Sequence, residues 1–180
     1  MLAISLMLIT FSTCDRSSFD SANYEVLYSM NLCSFFTSPV LKDISGMPVV
    51  KAYPIPADTQ LAGITSKCFL SFSDPTTMAN HSILVQGVLK PSTDHVDVLI
   101  RGFEDLVKAG KAEFYKAYDG VPAYFDKQVN ILYLMTHPDR YVSVAASTKF
   151  DDAATTEKQN SWIKAIGRRL LTRSNPPSEQ

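Results

Sequence analysis

Along residues 94–118, apolar side chains recur every three or four positions. Val96, Leu99, Ile100, Phe103, Leu106, Val107, Gly110 and Phe114 fall on one stripe; Arg101, Glu104, Asp105, Lys108 and Lys111 fall on the other. This spacing predicts one long amphipathic helix capped by Thr93 or Asp94, with Arg101 and Asp105 a turn apart. The period changes to two on either side of it. In residues 67–74, Cys68, Leu70 and Phe72 alternate with Phe69, Ser71 and Ser73, and the run ends at Asp74-Pro75. In residues 82–90, Ile83, Val85 and Gly87 oppose Leu84, Gln86 and Val88 until Pro91, so the two runs read as an antiparallel pair joined by a loop over 74–81. Residues 119–147 form the organising hairpin. The turn signal Asp119-Gly120 leads into strands over 122–125 and 129–135, and a break at His137-Pro138-Asp139 precedes a strand over 141–146.

The remaining segments read less evenly. Thr37 or Ser38 as a cap, Pro39 in the first turn and Gly46 as a stop predict a short helix over 39–45. Residues 24–36 fit a strand or a short helix equally well. Residues 47–66, with Pro48, Pro54, Pro56 and Gly63, read as a long irregular connection. A final helix begins near Asp151-Asp152, carries Trp162, Ile163, Ile166 and Leu170 on its apolar stripe, and ends in Arg168, Arg169 and Arg173. The basic end complements the helix C-terminus. The sum is a single α+β domain with a mainly antiparallel sheet covered by two amphipathic helices.

The N-terminus changes the picture from fold to location. Residues 2–11, LAISLMLITF, are too short to cross a bilayer comfortably and suit the apolar core of an export signal. They end at Ser12-Thr13-Cys14, which resembles a bacterial lipoprotein signal in which Cys14 is lipidated and becomes the first mature residue. Phe11 and Thr13 are bulkier than that pattern prefers, and no Lys or Arg precedes the run. The alternative is an ordinary secretory signal with Cys14 incidental. The implied layout is a signal peptide over 1–13, a polar tether over 14–23, the domain over 24–173 and a tail over 174–180.

Composition excludes more than it assigns. The chain has 180 residues, 46% of them hydrophobic and 11% aromatic, enough for a packed core, and its net charge of -1 argues against nucleic acid. Three cysteines leave one over in an exported protein; lipidation of Cys14 accounts for it and leaves Cys33 and Cys68 to pair. Such a bridge would restrict the unfolded chain by about 3 to 4 kcal/mol, the alternative being two buried free thiols. No Gly-x-Ser-x-Gly elbow, Gly-rich phosphate loop or His-Glu-x-x-His pair occurs. His81, His95 and His137 sit at a loop, a helix start and a turn, which suits surface or capping roles. Neither a catalytic residue, a metal ligand nor a cofactor is assigned.

Taken together, Cys14, the Leu32-Cys33 and Lys67-Cys68-Phe69 steps, the Gly120-Val121-Pro122-Ala123-Tyr124 turn and the closing amphipathic helix resemble small bacterial cell-envelope lipoproteins of unknown function. Some of these have two cysteines, and related folds resemble the photosystem accessory protein PsbP. The similarity covers roughly 32–171. It implies a protein exported and held on a membrane by its N-terminal lipid, and it supplies no catalytic residue. The expected function is a non-catalytic domain that binds an envelope protein. A carrier of a small apolar ligand is the alternative, suggested by Phe114, Tyr115, Tyr118, Tyr124, Phe125, Tyr133 and Tyr141, and a hydrolase with an unrecognised site is the second. For a protein partner, the expected contact residues are Tyr133, His137, Arg140 and Tyr141, the tyrosines emerging on the hairpin face that the core does not use. The competing register buries the tyrosines and turns Leu132, Leu134 and Val142 to water.

Overall fold

A seven-stranded antiparallel sheet, open at both edges, is packed on each face by helices; this is a single-domain α+β fold. The computed structural model describes residues 26–29, 31–56, 63–89, 94–118, 121–137, 139–146 and 153–174. The segments expected to be signal peptide (1–13) and tether (14–23, with Cys14), residues 175–180 and the turn residues Asp119, Gly120, Pro138, Asp151 and Asp152 lie outside them. In chain order the elements are α1 (Val26–Ser29), a 3-10 turn (Leu32–Phe35), α2 (Ser38–Ser45), β1 (Val49–Pro54), β2 (Ile64–Asp74) and β3 (Ala79–Leu89). Then follow α3 (Asp94–Lys108), β4 (Ala112–Tyr118), β5 (Val121–Asp126), β6 (Ile131–His137), β7 (Arg140–Ala146) and α4 (Ala153–Ser174). The spatial order of the strands is β1-β2-β3-β7-β6-β5-β4.

Strand alternation decides the two faces. Cys68, Leu70, Phe72, Ile83, Val85, Leu132, Leu134, Val142 and Val144 all point to the first face and are fully buried. Trp162, Ile163, Ile166, Leu170 and Leu171 of α4 cover them. Phe72 and Trp162 pack at a tilt with their centroids 5.2 Å apart. Burying each such aliphatic side chain contributes about 1.5 to 3 kcal/mol. The N-terminal segment, which the sequence left open between strand and helix, is helical and lies on this face. Ser66 Oγ donates to Leu27 O at 2.8 Å, and α1 comes so near the sheet that a Cβ on Gly87 would sit 2.9 Å from that same carbonyl. Glycine at 87 therefore makes room for α1.

One disulfide ties this layer together. Cys33 of the 3-10 turn is bonded to Cys68 of β2 across 35 residues, with the Cα atoms 5.1 Å apart. Closing a loop of that length is worth about 4 kcal/mol through the unfolded chain.

Three sequence expectations need correction. The helix does not continue from 94 to 118: it stops at Lys108, and residues 112–118 form β4. Gly110 takes φ 71°, while Lys111 N–H donates to Leu106 O and Gly110 N–H to Val107 O, the hydrogen-bond pair of a Schellman stop. Beyond it, Gly110 and Phe114 fit a two-residue period as well as a helical stripe. Residues 47–66 are not all irregular either, because 49–54 form β1. An outermost strand tolerates a proline whose missing N–H would point away from the sheet. Finally, His81 is not in a loop. β3 begins at Ala79, and His81 is buried beneath α4, edge-on to Trp162 at 5.3 Å with Nδ1 3.4 Å from Gln159 Nε2.

Candidate binding surface

The connection from β3 at the middle of the sheet to β4 at its far edge carries α3, which packs on β4 and β5. A second, smaller core forms there from Val96, Phe103, Tyr124 and Met135. Phe103 stacks on Tyr124 at 5.2 Å and tilts against Tyr133 at 4.7 Å. Leu99, Ile100, Leu106 and Val107 of α3 are only partly buried, and so are Tyr133 and Tyr141, whose rings lie 5.9 Å apart. Burial, with smaller contributions from Tyr141 and Asp126, raises the pKa of Tyr133; burial alone raises that of Tyr141. Both stay neutral hydroxyls at physiological pH.

Beside α3 the second face opens into a shallow depression of about 230 Å³. Ile64, Val88, Ile131 and Ala145 give it apolar walls; Gln86, Ser143 and the two tyrosines add polar groups. Register continues the apolar surface outward, because Ile131 pairs with Ala145, Ala145 with Leu84, Leu84 with Phe69 and Phe69 with Tyr53. Tyr53 and Phe69 are in ring contact at 6.4 Å, and Tyr53 is 45% exposed.

The four residues expected to form one contact surface divide between two places. Tyr133 and Tyr141 lie on the second face, opposite Leu132, Leu134 and Val142, and are half-buried beside α3. Arg140 precedes Tyr141 and so turns the other way: its guanidinium lies 5.5 Å from the ring centre of Tyr28 in α1. Its Nε is 3.2 Å from Asp139 Oδ1, an ion pair more than an aligned hydrogen bond. The same carboxylate engages His137 Nδ1, and the Tyr28 hydroxyl bonds to the buried Thr136 hydroxyl. Arg140 and His137 thus close the rim of the hairpin, and Arg140 contacts α1. A register irregularity between Leu134 and His137 sets His137 opposite Arg140.

The contact residues expected from sequence did not include Ile64, Gln86 and Val88, nor Ile131, Ser143 and Ala145, although the hairpin's alternation sets Ser143 and Ala145 on the same face as Tyr141 and Ile131 on that of Tyr133. Alternation around Ile83 and Val85 marks Leu84, Gln86 and Val88 as the other face. That β3 lies beside β7, which brings these residues to the tyrosines, has no local signal. Among the described residues, no three His, Cys, Asp or Glu side chains are grouped as metal ligands, and no helix is long and apolar enough to cross a membrane. Compared with models of known protein families, with curated proteins and with solved structures, the chain matches none.

Proposed function

We propose that this chain is a non-catalytic binding domain, exported and lipid-anchored through Cys14 to the extracytoplasmic side of a membrane, that docks an envelope protein on the second face of its sheet. The carrying observation is the half-covered state of that face. α3 packs over one part of it, leaving the row from Tyr53 to Ile131 and the Tyr133–Tyr141 pair as a partly exposed mixture of apolar surface and hydroxyls. Such amphipathic aromatic surface is what protein interfaces enrich. The disulfide supports export, because bonds of this kind persist in oxidising compartments. Resemblance to envelope lipoproteins supports the anchor.

A second reading, a site for a small apolar ligand, is favoured by the depression. Its 230 Å³ falls short of the roughly 300 Å³ that enclosed ligands of drug size occupy, so the protein partner is the better reading.

The test is capture from envelope extracts with wild type, Tyr141→Ala and Ala145→Arg. Loss of one specific partner by both variants, with unchanged circular dichroism and melting, is expected. Equal capture by all three would place binding on another surface. Arg140→Glu is the wrong probe, since it breaks the contact with α1. For the anchor, intact mass of membrane-extracted protein should carry a diacyl or triacyl addition, and Cys14→Ser should release the protein; retention without the addition would overturn it.

A further inference from the structure

The two edges of the sheet differ. On β4 the register breaks between Tyr115 and Tyr118, which blunts pairing, whereas β1 is matched to β2 from Val49 to Pro54 without a shift. Among the described residues, nothing pairs with the outer side of β1. Its exposed apolar side chains Val49 at 40% and Tyr53 at 45%, and Ile55 at 37% just beyond its end, recur at every second or fourth position on one face.

The ladder fixes which backbone groups face outward. Ile55 N–H donates to Lys67 O at 3.4 Å, continuing the register that sets Pro54 opposite Cys68 and Tyr53 opposite Phe69. In an antiparallel pair, alternate residues turn both backbone groups to the same neighbour. Val49, Lys51, Tyr53 and Ile55 therefore face β2, and Val50, Ala52 and Pro54 face away. Outward, the edge offers two N–H donors and three carbonyls, because Pro54 has no N–H.

We propose that β1 pairs with β1 of a second copy of the chain, antiparallel and two-fold symmetric about Ala52. In that register Ala52 exchanges two hydrogen bonds with Ala52 of the second copy. Val50 N–H donates to the other Pro54 carbonyl, and symmetry repeats the bond. Pro54 serves as acceptor only, so the return bond to the Val50 carbonyl is absent on each side and four hydrogen bonds, not six, join the strands. The side chains agree with the backbone: Lys51 lies opposite the ring of Tyr53, and Val49 opposite Ile55, a cation–aromatic pair and an apolar pair on each side of the axis. Centring the pair on Pro54 would leave the central residues without a donor, and centring it on Val50 would overlap few residues. The sequence of this edge is therefore complementary to itself in one register. An interface one strand wide is small, so the dimer is a weak one.

Sedimentation equilibrium of the full chain carrying Cys14→Ser tests this, with Cys33 and Cys68 kept. The mass should rise with concentration from 19.9 kDa toward twice that value. Ala52→Pro removes an N–H that the isolated chain does not use, and should weaken the dimer roughly tenfold or more. A register test stands apart from that variant's folding: under mild oxidation, Lys51→Cys mixed with Tyr53→Cys should cross-link far more than either alone. A monomer at every concentration up to the millimolar range would overturn the proposal. So would a dimer that neither resists cross-linking of like variants nor responds to Ala52→Pro. Because Tyr141→Ala and Ala145→Arg leave β1 intact, loss of partner capture and loss of the dimer are separate results.

Discussion

The two faces of the sheet are made by the same strands, yet they are finished differently. On the first face α4, α1, α2 and the 3-10 turn cover a continuous core in which Leu70, Phe72, Ile83, Leu134 and Val144 have no exposed surface. On the second, α3 covers a small aromatic core, and its partly buried Leu99, Ile100, Leu106 and Val107 give way to an open depression. The first face holds the fold together, and the second leaves apolar surface partly uncovered. Alternation along a strand says only that a residue belongs to one face; what the chain lays over that face decides whether it is core or contact surface.

Perturbing the first face should cost most. Cys33→Ala with Cys68→Ala should lower stability by up to about 4 kcal/mol, read from denaturant midpoints. Ile166→Ala, at the centre of the α4 contact, should cost about 3 kcal/mol. Phe103→Ala, its counterpart under α3, should cost about 2 kcal/mol, since a gap beside an open depression can relax or take in water. A larger loss at Phe103 than at Ile166 would reverse the assignment of the two faces.

The smallest expected effect is a pH dependence confined to the first face. Burial, and then the nearby Lys158, lower the pKa of His81 below its ordinary value. The unfolded state therefore binds the proton more readily, so His81 leaves stability unaffected well above pH 6.5 and lowers it as pH falls through about 6.5. Phe72, Trp162, Gln159 and Lys158 face it, and none of these four is an anion. Melting temperature measured from pH 8 to pH 5.5 should fall slightly, and His81→Gln should flatten the slope. An unchanged slope in that variant would assign the dependence to other groups.

Much of the fold was legible because β2, β3, the hairpin strands and α4 each repeat one period over many residues, and because Gly46 and the Asp74-Pro75 step punctuate clearly. Where two periods coincide, legibility failed. Gly110 and Phe114 satisfy a helical stripe and a strand alternation together, and only the left-handed backbone at Gly110 separates α3 from β4. Prolines hid β1, since Pro54 reads as a loop residue unless the strand is known to be outermost. For the candidate surface, Tyr133 and Tyr141 were legible as aromatics opposite an aliphatic row. Their neighbours on β2 and β3 were not, since hydrogen bonds between β3 and β7 are a property of topology and leave no local pattern. Arg140 looked like a partner of Tyr141 in sequence, and the two-residue period of the strand separates them.

That seam between β3 and β7 also bears on how the molecule is assembled. β1 to β3 is a local meander and β4 to β7 is another, each joined to its sequence neighbours in order. They meet where Leu89 pairs with Arg140 and Ile83 with Ala146, partners some fifty to sixty residues apart, so closing the seam costs more chain entropy than any hairpin in the sheet. The rate of folding should therefore respond to substitutions along the seam, such as Val85 or Val144, more than to equal losses at either outer edge.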